Sequence, residues 1–341
     1  MKRRVHVVMG GPSAEHDVSL ETGREVLAHL SHDTYEVKAV VISAARDLYV
    51  ADAVEPFTAP EFAAPADSHR FRGPFRPEAS RDVWEDCDVA FLALHGAFGE
   101  DGRFQGYLDT LGVPYTGSGV FAGAVSMDKI TSKRLFESAG LTTPPSTVYR
   151  KGRAPLDEIG KRHGFPCFVK CPQSGSSRLM GRADNEKKLA ALAEEFFASA
   201  ERIMVETAIE GEEFTCAVLR DEQGETVALP PIEIRPVHGS FFDYQAKYVP
   251  SACEELVPAP RPQELLHRIE TTAVVAHDLL SCRGVSRTDM LHREGTLYVL
   301  ETNTLPGLTS NSLVPKAFRA RGGTYPELLD LLIREALRER Q

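Results

Sequence analysis

Long apolar runs are absent from this sequence of 341 residues. A membrane-spanning helix needs roughly 20 consecutive apolar residues, and no segment approaches that length. The apolar stretch Val5–Met9 stops at Gly10-Gly11, which makes it too short for the core of a secretory signal peptide. We therefore expect a soluble, cytoplasmic protein with no membrane partner.

Paired cysteines are also absent. The six cysteines are Cys87, Cys167, Cys171, Cys216, Cys253 and Cys282. They are scattered, and they form neither a CxxC pair nor the ligand spacing of a zinc site. This pattern is typical of small, buried or half-buried apolar side chains in a reducing compartment.

The sequence lacks an excess of basic residues and two common nucleotide-binding signatures. Its formal net charge is −10, whereas nucleic-acid-binding domains are more often basic, so no nucleic-acid partner is expected. The P-loop order GxxxxGK followed by Ser or Thr is missing, and Gly10-Gly11 lacks the GxGxxG spacing of a dinucleotide fingerprint. The second absence counts against a dehydrogenase, but local cations can still bind an anionic substrate.

The first hundred or so residues alternate strand and helix patterns. The apolar run Val5–Met9 precedes a turn and a helical pattern, and further strands are predicted at Tyr35–Ile42 and Asp88–Leu94. This alternation predicts a parallel sheet of the Rossmann type in an N-terminal domain, residues 1–125. Residues 51–80 lack periodicity, and we expect a surface excursion there.

Two further domains are predicted after residue 125. The central one, residues 126–213, contains a helix at Asp128–Ala139, and Asp184 is suited to cap its next long helix. The C-terminal one, residues 214–341, is mainly strand, with a long helix near Pro262–Leu280 and then a β-hairpin. The expected fold class is α/β, with α+β character in the C-terminal half.

The predicted hairpin carries four polar residues at alternating positions: Arg287 and Asp289 on its first strand, Glu301 and Asn303 on its second. Residues at equal distances from a turn centred on Gly295 oppose each other. This rule sets Asp289 against Glu301 and Arg287 against Asn303. Because side chains alternate along a strand, all four are expected on one face of the sheet.

Asp289 and Glu301 are like charges placed opposite each other, which destabilises an ordinary sheet. A hard divalent cation removes that penalty, and two carboxylates, an amide oxygen and phosphate oxygens form a plausible Mg²⁺ shell. The alternative is a solvated charged face on which Arg287 neutralises the acids. Residues 304–313 follow the hairpin, are rich in small and hydroxyl side chains, and lead into a helix. Since helix N-termini bind anions, this segment favours a binding site.

Two lysines accompany features that suit a nucleotide. Lys129 lies on the predicted helix of the central domain, and Lys170 ends a strand directly before the small, polar loop 174–177. An ammonium group beside the backbone donors of such a loop suits ATP phosphates. The alternative for each lysine is an ordinary solvent-exposed side chain.

Eight short blocks, spread over almost the whole chain, carry the most specific functional signal as a set. They are Gly10–Leu20, Leu94–Gly96, Gly99–Gly102, Pro114–Gly119, Ser126–Lys129, Glu212–Thr215, Asp243–Tyr248 and Glu301–Pro315. In content and order they resemble the D-alanine–D-alanine ligases of the ATP-grasp fold. The resemblance implies a Rossmann-like N-terminal domain, a central small domain and a C-terminal mixed-sheet domain, with ATP as a substrate and Mg²⁺ or Mn²⁺ as the cofactor.

The resemblance implies roles at the amino-acid end of the site. Glu15 matches the residue that holds the ammonium group of the first D-alanine, and His95 is similar to a histidine near that substrate. Ser312 and Leu313 match the site for the carboxylate of the second D-alanine.

The resemblance also implies the contacts of the nucleotide, the metal and the reacting atoms. The ATP contacts are Lys129, Lys170, Ser176, Ser177, Glu206, Ile209, Glu213 and Lys247, with Glu213 towards the ribose. The metal ligands are Asp289, Glu301 and Asn303. Arg287 and the Gly307 backbone match the pair that stabilises the tetrahedral intermediate, and Ser176 and Tyr248 match residues that link the closing loops with Glu15.

These roles imply an ATP-dependent ligase that joins two D-alanines through an acyl phosphate and acts, as a homodimer, in peptidoglycan precursor synthesis. One alternative is a specialised ATP-grasp dipeptide or depsipeptide ligase with an altered amino-acid preference. Another is a catalytically inactive, nucleotide-binding regulator. Tyr248 counts against an ester-forming enzyme, where the resemblance would put a histidine, and the intact polar set of the hairpin counts against an inactive protein.

Two segments depart from the family pattern, and a third has no regular secondary-structure pattern. The polar loop continues to Arg178-Leu179, and the hinge carries Thr207-Ala208 where a lysine and a bulky residue are common. Both changes bear on nucleotide affinity. Residues 238–256 are long, irregular and rich in aromatic residues, so we expect a lid that orders over bound nucleotide.

Overall fold

The computed structural model describes residues 2–53, 56–173, 179–237 and 253–338. Within these ranges the chain forms three β-sheets from successive stretches of sequence, which we call the N-terminal, central and C-terminal sheets. None of the helices in the described ranges is long and apolar enough to cross a membrane.

The strands of the N-terminal sheet are β1 (Arg3–Gly10), β2 (Tyr35–Ile42), β3 (Leu48–Asp52), β4 (Arg72–Phe75) and β5 (Val89–Leu92). Their order is β4-β3-β2-β1-β5. β1 pairs in parallel with β2 and β5, while β3 and β4 add an antiparallel edge. The predicted Rossmann-type parallel arrangement is therefore confirmed for β2, β1 and β5.

The helices of this part are α1 (His16–His29), α2 (Ala59–Ala63), α3 (Arg81–Trp84), α4 (Arg103–Leu111) and α5 (Val120–Met127). The expectation of a surface excursion at 51–80 is wrong for the described residues of that segment. Phe57, Phe62 and Phe71 are buried together, with ring centroids 5.0 and 5.2 Å from Phe57. Aromatic packing, which needs no periodicity, orders this segment against the sheet.

The central sheet consists of β6 (Ser146–Arg150), β7 (Cys167–Lys170), β8 (Met180–Ala183) and β9 (Arg202–Thr207), in the order β6-β9-β7-β8 and antiparallel throughout. Its helices are α6 (Lys129–Ser138), α7 (Leu156–His163) and α8 (Glu186–Ser199). The predicted cap of α8 is wrong by one residue. Asn185 accepts a hydrogen bond from the backbone N–H of Lys188 at 3.0 Å, whereas Asp184 pairs with Arg182.

The C-terminal sheet is antiparallel and contains β10 (Glu212–Arg220), β11 (Thr226–Ala228), β12 (Ile232–Pro236), β13 (Cys253–Leu256), β14 (Val285–Arg293) and β15 (Thr296–Asn303). Its helices are α9 (Gln263–Leu279), α10 (Leu313–Ala320) and α11 (Tyr325–Arg338). The strand order is β13-β12-β10-β14-β15, with β11 beside β10. Residues 253–256 were expected to be irregular but pair with β12, and the rest of the expected lid, 238–252, lies outside the described residues.

The hairpin of β14 and β15 contains one extra residue. Next to the turn, Met290 pairs with Val299, but the next pair is Asp289 with Glu301, so Leu300 forms a β-bulge. A regular ladder would place Leu300 opposite Asp289. The bulge therefore brings Glu301 opposite Asp289, and the two predicted pairings are confirmed although the predicted regular path is not.

Candidate active site

Two neighbouring cavities lie where the three sheets approach one another. The first cavity, of about 560 Å³, lies between residues of the N-terminal and C-terminal sheets, and the second, of about 440 Å³, between those of the central and C-terminal sheets. Five residues border both cavities and form what we call the shared wall: Lys129, Glu213, Ile234, Asp289 and Glu301. Groups bound in the two cavities would therefore meet at three carboxylates and an ammonium.

Asp289 is held by donors from three strands. The Arg287 guanidinium donates to both carboxylate oxygens at 2.9 Å. The Thr215 hydroxyl on β10 donates to Oδ1 at 2.7 Å, and the Asn303 amide nitrogen on β15 to Oδ2 at 3.3 Å. The predicted grouping of these hairpin side chains on one face is confirmed. Thr215 is a partner that the sequence did not reveal, because β10 meets β14 only in the folded sheet.

Lys129 begins α6, where the Asp128 carboxylate caps the helix by accepting from the backbone N–H groups of Ile130 and Thr131 at 3.1 and 3.0 Å. Its ammonium nitrogen lies 3.1 Å from Glu301 Oε2. Burial alone would lower the pKa of Lys129, but the charge of Glu301 outweighs burial and raises the pKa. Lys129 therefore stays protonated among the carboxylates of the shared wall.

Lys170, at the end of β7, points into the second cavity and pairs with the Glu206 carboxylate on β9. Lys133, one helical turn after Lys129, pairs with the same carboxylate and was not predicted. Burial would raise the pKa of Glu206, but Lys170 and Lys133 outweigh it and lower the pKa to about 2. Glu206 is thus ionised and closely held between two cations.

The rest of the second cavity combines apolar and charged side chains. Its apolar lining includes Phe168, Leu179, Met180, Ile209, Leu291 and Leu300. Its charged lining contains the cations Lys129, Lys170, Arg182 and Arg235 together with several carboxylates. Apolar side chains suit a planar base, and the cations suit a polyphosphate joined to it.

Glu15 stands in the first cavity, directly before α1 and beyond the carboxyl end of β1. The Ser13 hydroxyl accepts from the backbone N–H of Glu15 at 3.1 Å and donates to the backbone carbonyl of His95 at 2.6 Å. Gly96 lies so close that a Cβ there would approach Glu15 Oε2 to 2.4 Å. The two predicted blocks around residues 15 and 95 therefore meet in one place.

His95 is buried beside Glu15 and has two side-chain neighbours. Its Nε2 lies 2.9 Å from the Thr22 hydroxyl, and its Nδ1 lies 3.5 Å from Glu100 Oε1. Both neighbours also border the first cavity. Glu100 belongs to a block that carried the resemblance, but its contact with His95 depends on the folded chain.

The segment that precedes α10 also borders the first cavity. Gly307, Ser312 and Leu313 all border it. Leu313 is the first residue of α10, and the Ser312 hydroxyl lies 2.7 Å from that of Thr309. The first turn of a helix offers backbone N–H groups to an anion, as the sequence predicted.

The described residues include most of the predicted set, and the cavities bring those together. Ile209 and Glu213 border the second cavity as well. Four predicted residues lie outside the described ranges: Ser176, Ser177, Lys247 and Tyr248.

Three successive sheets with two adjoining cavities, one bordered by Lys170 and apolar side chains and the other by Glu15 and the start of α10, are the arrangement of an ATP-grasp enzyme. Family models described as "D-ala D-ala ligase N-terminus" and "D-ala D-ala ligase C-terminus" match residues 4–118 and 135–334. The chain is 38% identical over 343 residues to the D-alanine–D-alanine ligase of Desulforudis audaxviator, with 98% of this chain and 99% of that protein covered. The chain belongs to the D-alanine–D-alanine ligase family and is a ligase.

Solved structures agree with this assignment. The VanG D-Ala:D-Ser ligase from Enterococcus faecalis has a TM-score of 0.85 at 28% identity, covering 98% of this chain and 100% of its own. The D-alanine–D-alanine ligase from Bacillus anthracis complexed with ATP has a TM-score of 0.76 at 31% identity, covering 99% and 98%. The expected ATP-grasp fold is confirmed.

Proposed function

We propose that this chain joins two D-alanine molecules into a dipeptide for peptidoglycan precursor synthesis and converts ATP to ADP and phosphate. The shared wall is the observation that carries the proposal. A nucleotide in the second cavity and an amino acid in the first would share this boundary, which includes Lys129, Asp289 and Glu301. Membership of the family supports the same activity.

In the first step, the carboxylate of one D-alanine attacks the γ-phosphate of ATP, and an acyl phosphate forms as ADP leaves. Lys129 and Lys170 offset the charge of the phosphates. Glu15 holds the ammonium group of this D-alanine, with His95 beside it. Glu206, Ile209 and Glu213 bind the nucleoside, with Glu213 towards the ribose.

In the second step, the amine of the other D-alanine attacks the acyl carbon, and phosphate leaves. Arg287 and the backbone N–H of Gly307 stabilise the negative oxygen of the tetrahedral intermediate. Ser312 and Leu313, at the start of α10, hold the carboxylate of the incoming D-alanine. No nucleophilic side chain is required.

Asp289, Glu301 and Asn303 fit Mg²⁺, or Mn²⁺, because they combine two carboxylates with an amide oxygen. The Asn303 amide nitrogen faces Asp289, so its oxygen is the atom that would coordinate a cation. When bound, the cation supplies charge neutralisation at the phosphates. It would also relieve the repulsion between the opposed carboxylates of the hairpin.

Release of ADP tests the function directly. The purified chain is incubated with ATP, Mg²⁺ and D-alanine, and parallel reactions replace D-alanine with L-alanine, D-serine or a mixture of D-alanine and D-lactate. D-Alanine-dependent ADP release with formation of the dipeptide supports the proposal. Faster turnover with D-serine or D-lactate would assign a specialised ligase instead, and no amino-acid-dependent release would refute the ligase activity.

Further proposals rest on family membership. The chain has three domains, at 1–125, 126–213 and 214–341, and forms a cytoplasmic homodimer. Ser176, Ser177 and Lys247 contact ATP. Ser176 and Tyr248 link the closing loops with Glu15. Sedimentation analysis tests the dimer. Tyr248→Phe should lower turnover and leave the fold unchanged.

A further inference from the structure

Three charged side chains, two of them buried, form a cluster at the second cavity: Lys133, Lys170 and Glu206. Lys133 and Lys170 both pair with the Glu206 carboxylate. The side chains of Lys133 and Glu206 are only 8% and 5% exposed, so water screens their interaction weakly. Among the described residues, those that border the cavity include Lys170 and Glu206 but not Lys133.

The position of Lys133 follows from α6. Lys129 and Lys133 are four residues apart, which places them on the same face of the helix. Lys129 meets Glu301 at the shared wall, while Lys133 reaches past the cavity to Glu206 on β9. One helix thus supplies two lysines, each to a different carboxylate at the site.

The charges of this cluster do not cancel. Two ammonium groups flank one carboxylate, so the three side chains carry a net charge of +1. Without Lys133, Lys170 and Glu206 would neutralise each other. A neutral pair would attract a polyphosphate much less than a cation would.

We propose that Lys133 is a positioning residue for the nucleotide: it is the constant counter-ion of Glu206 and makes the charge of Lys170 available to the phosphates. This inference rests on the proposed function, in which ATP occupies the second cavity. When Lys170 turns to a phosphate, Glu206 keeps one partner. In the absence of Lys133, the same movement would leave a buried carboxylate without a counter-ion, which is strongly unfavourable.

Lys133→Met tests the proposal, with Lys133→Gln as a second variant that retains a hydrogen-bond donor. The dissociation constant of a non-hydrolysable ATP analogue and the KM for ATP should both rise about tenfold, while the KM for D-alanine stays within about twofold. Lys38→Met is the matched control, because Lys38 is 12% exposed and pairs with Asp86 in the N-terminal sheet. It should leave both KM values unchanged.

A charge-restoring double variant separates electrostatics from packing. Lys133→Met combined with Glu206→Gln removes one charge of each sign and leaves Lys170 as the single cation. Because Glu206 itself contacts the nucleoside, the double variant is compared with Glu206→Gln alone: adding Lys133→Met should now cost little affinity for the analogue, whereas damage by lost packing would cost as much as it does in the wild-type chain. The double variant also leaves no carboxylate to be buried alone, so it remains testable if Lys133→Met does not fold.

The outcomes distinguish this inference from the proposed function. Equal increases in the KM values for ATP and D-alanine, or no change in analogue binding, would overturn the role of Lys133. A wild-type chain that binds the analogue but does not join D-alanine overturns the function only. A wild-type chain that binds no analogue overturns both.

Discussion

Asp289 accepts hydrogen bonds from three side chains, and one of them is the hydroxyl of a buried threonine. Thr215 is 1% exposed and donates its hydroxyl to Asp289 Oδ1. Partners behind a metal ligand orient it and typically change metal affinity by about 10–100-fold. Thr215→Val keeps the shape of the side chain, so the Mg²⁺ concentration that gives half-maximal activity should rise by roughly tenfold.

Thr288→Val is the matched control for Thr215→Val. Thr288 is equally buried, but its hydroxyl lies 3.0 Å from that of Thr302, on the other side of β14. A Mg²⁺ titration of ADP release should be unchanged in this variant. Equal shifts in both variants would mean that the sheet, and not the orientation of Asp289, sets metal affinity.

Glu15 borders the first cavity but not the second. If it holds the ammonium group of the first D-alanine, Glu15→Gln should raise the KM for that substrate far more than the KM for ATP, because only the amino acid loses a charged contact. Glu21→Gln serves as the control, since Glu21 pairs with Arg24 on the same helix. Steady-state kinetics with each substrate varied in turn measure the difference, and equal effects on both KM values would contradict the role.

Helix α8 shows how an element can begin one residue away from its predicted cap. Asn185→Ala removes the side chain that accepts from the Lys188 backbone N–H, which typically costs about 1 kcal/mol of stability. Asp184→Ala should have a smaller effect, because its pairs with Arg182 and Lys188 are exposed to solvent. Urea unfolding of both variants gives the comparison. A larger loss of stability in Asp184→Ala would mean that Asp184 caps the helix, as the sequence predicted.

The hairpin shows how much of a single structural element could be predicted from the sequence. Alternation of polar residues placed Asp289 opposite Glu301 correctly. It could not show the bulge at Leu300, because a period of two contains no signal for an extra residue. The partners Thr215 and Lys133 were missed for a related reason: each lies on another element, and only the folded arrangement brings it to Asp289 or Glu206.

At the scale of the whole molecule, the negative net charge gives no indication of where the cations of the site lie. The chain carries a formal net charge of −10, yet the proposed nucleotide cavity is bordered by Lys129, Lys170 and Arg182. Composition excluded a generally basic surface but could not locate these side chains. Periodicity and turn residues predicted strands in the order in which the sheets occur along the chain. The positions of the cavities could not be predicted in this way, because they depend on packing between the sheets.

His277 gives the whole fold a dependence on pH. It is 1% exposed, its Nδ1 lies 2.8 Å from the Ser286 hydroxyl, and burial lowers its pKa to about 4. The unfolded chain binds a proton near pH 6.5 and the folded chain does not, so stability is complete above that pH and falls as the pH drops towards 4.

This one group should lower the free energy of unfolding by roughly 2 kcal/mol between about pH 7.5 and about pH 5. Urea unfolding at both pH values measures the change. His277→Asn retains a partner for Ser286 and removes the titration, so the loss between the two pH values should shrink by that amount. An unchanged loss in the variant would assign the acid sensitivity to other groups.

The bulge at Leu300 means that the hairpin contains one spare residue, and this determines which changes of chain length it can tolerate. Deletion of Leu300 would turn the ladder into a regular one and still leave Glu301 opposite Asp289. Deletion of Met290 from the partner strand would set Asp289 against Val299 and part the two acids. In a deletion scan, the variant without Leu300 should keep its response to Mg²⁺ and bind ATP more weakly, since Leu300 borders the second cavity. The variant without Met290 should lose both its response to Mg²⁺ and its binding of ATP.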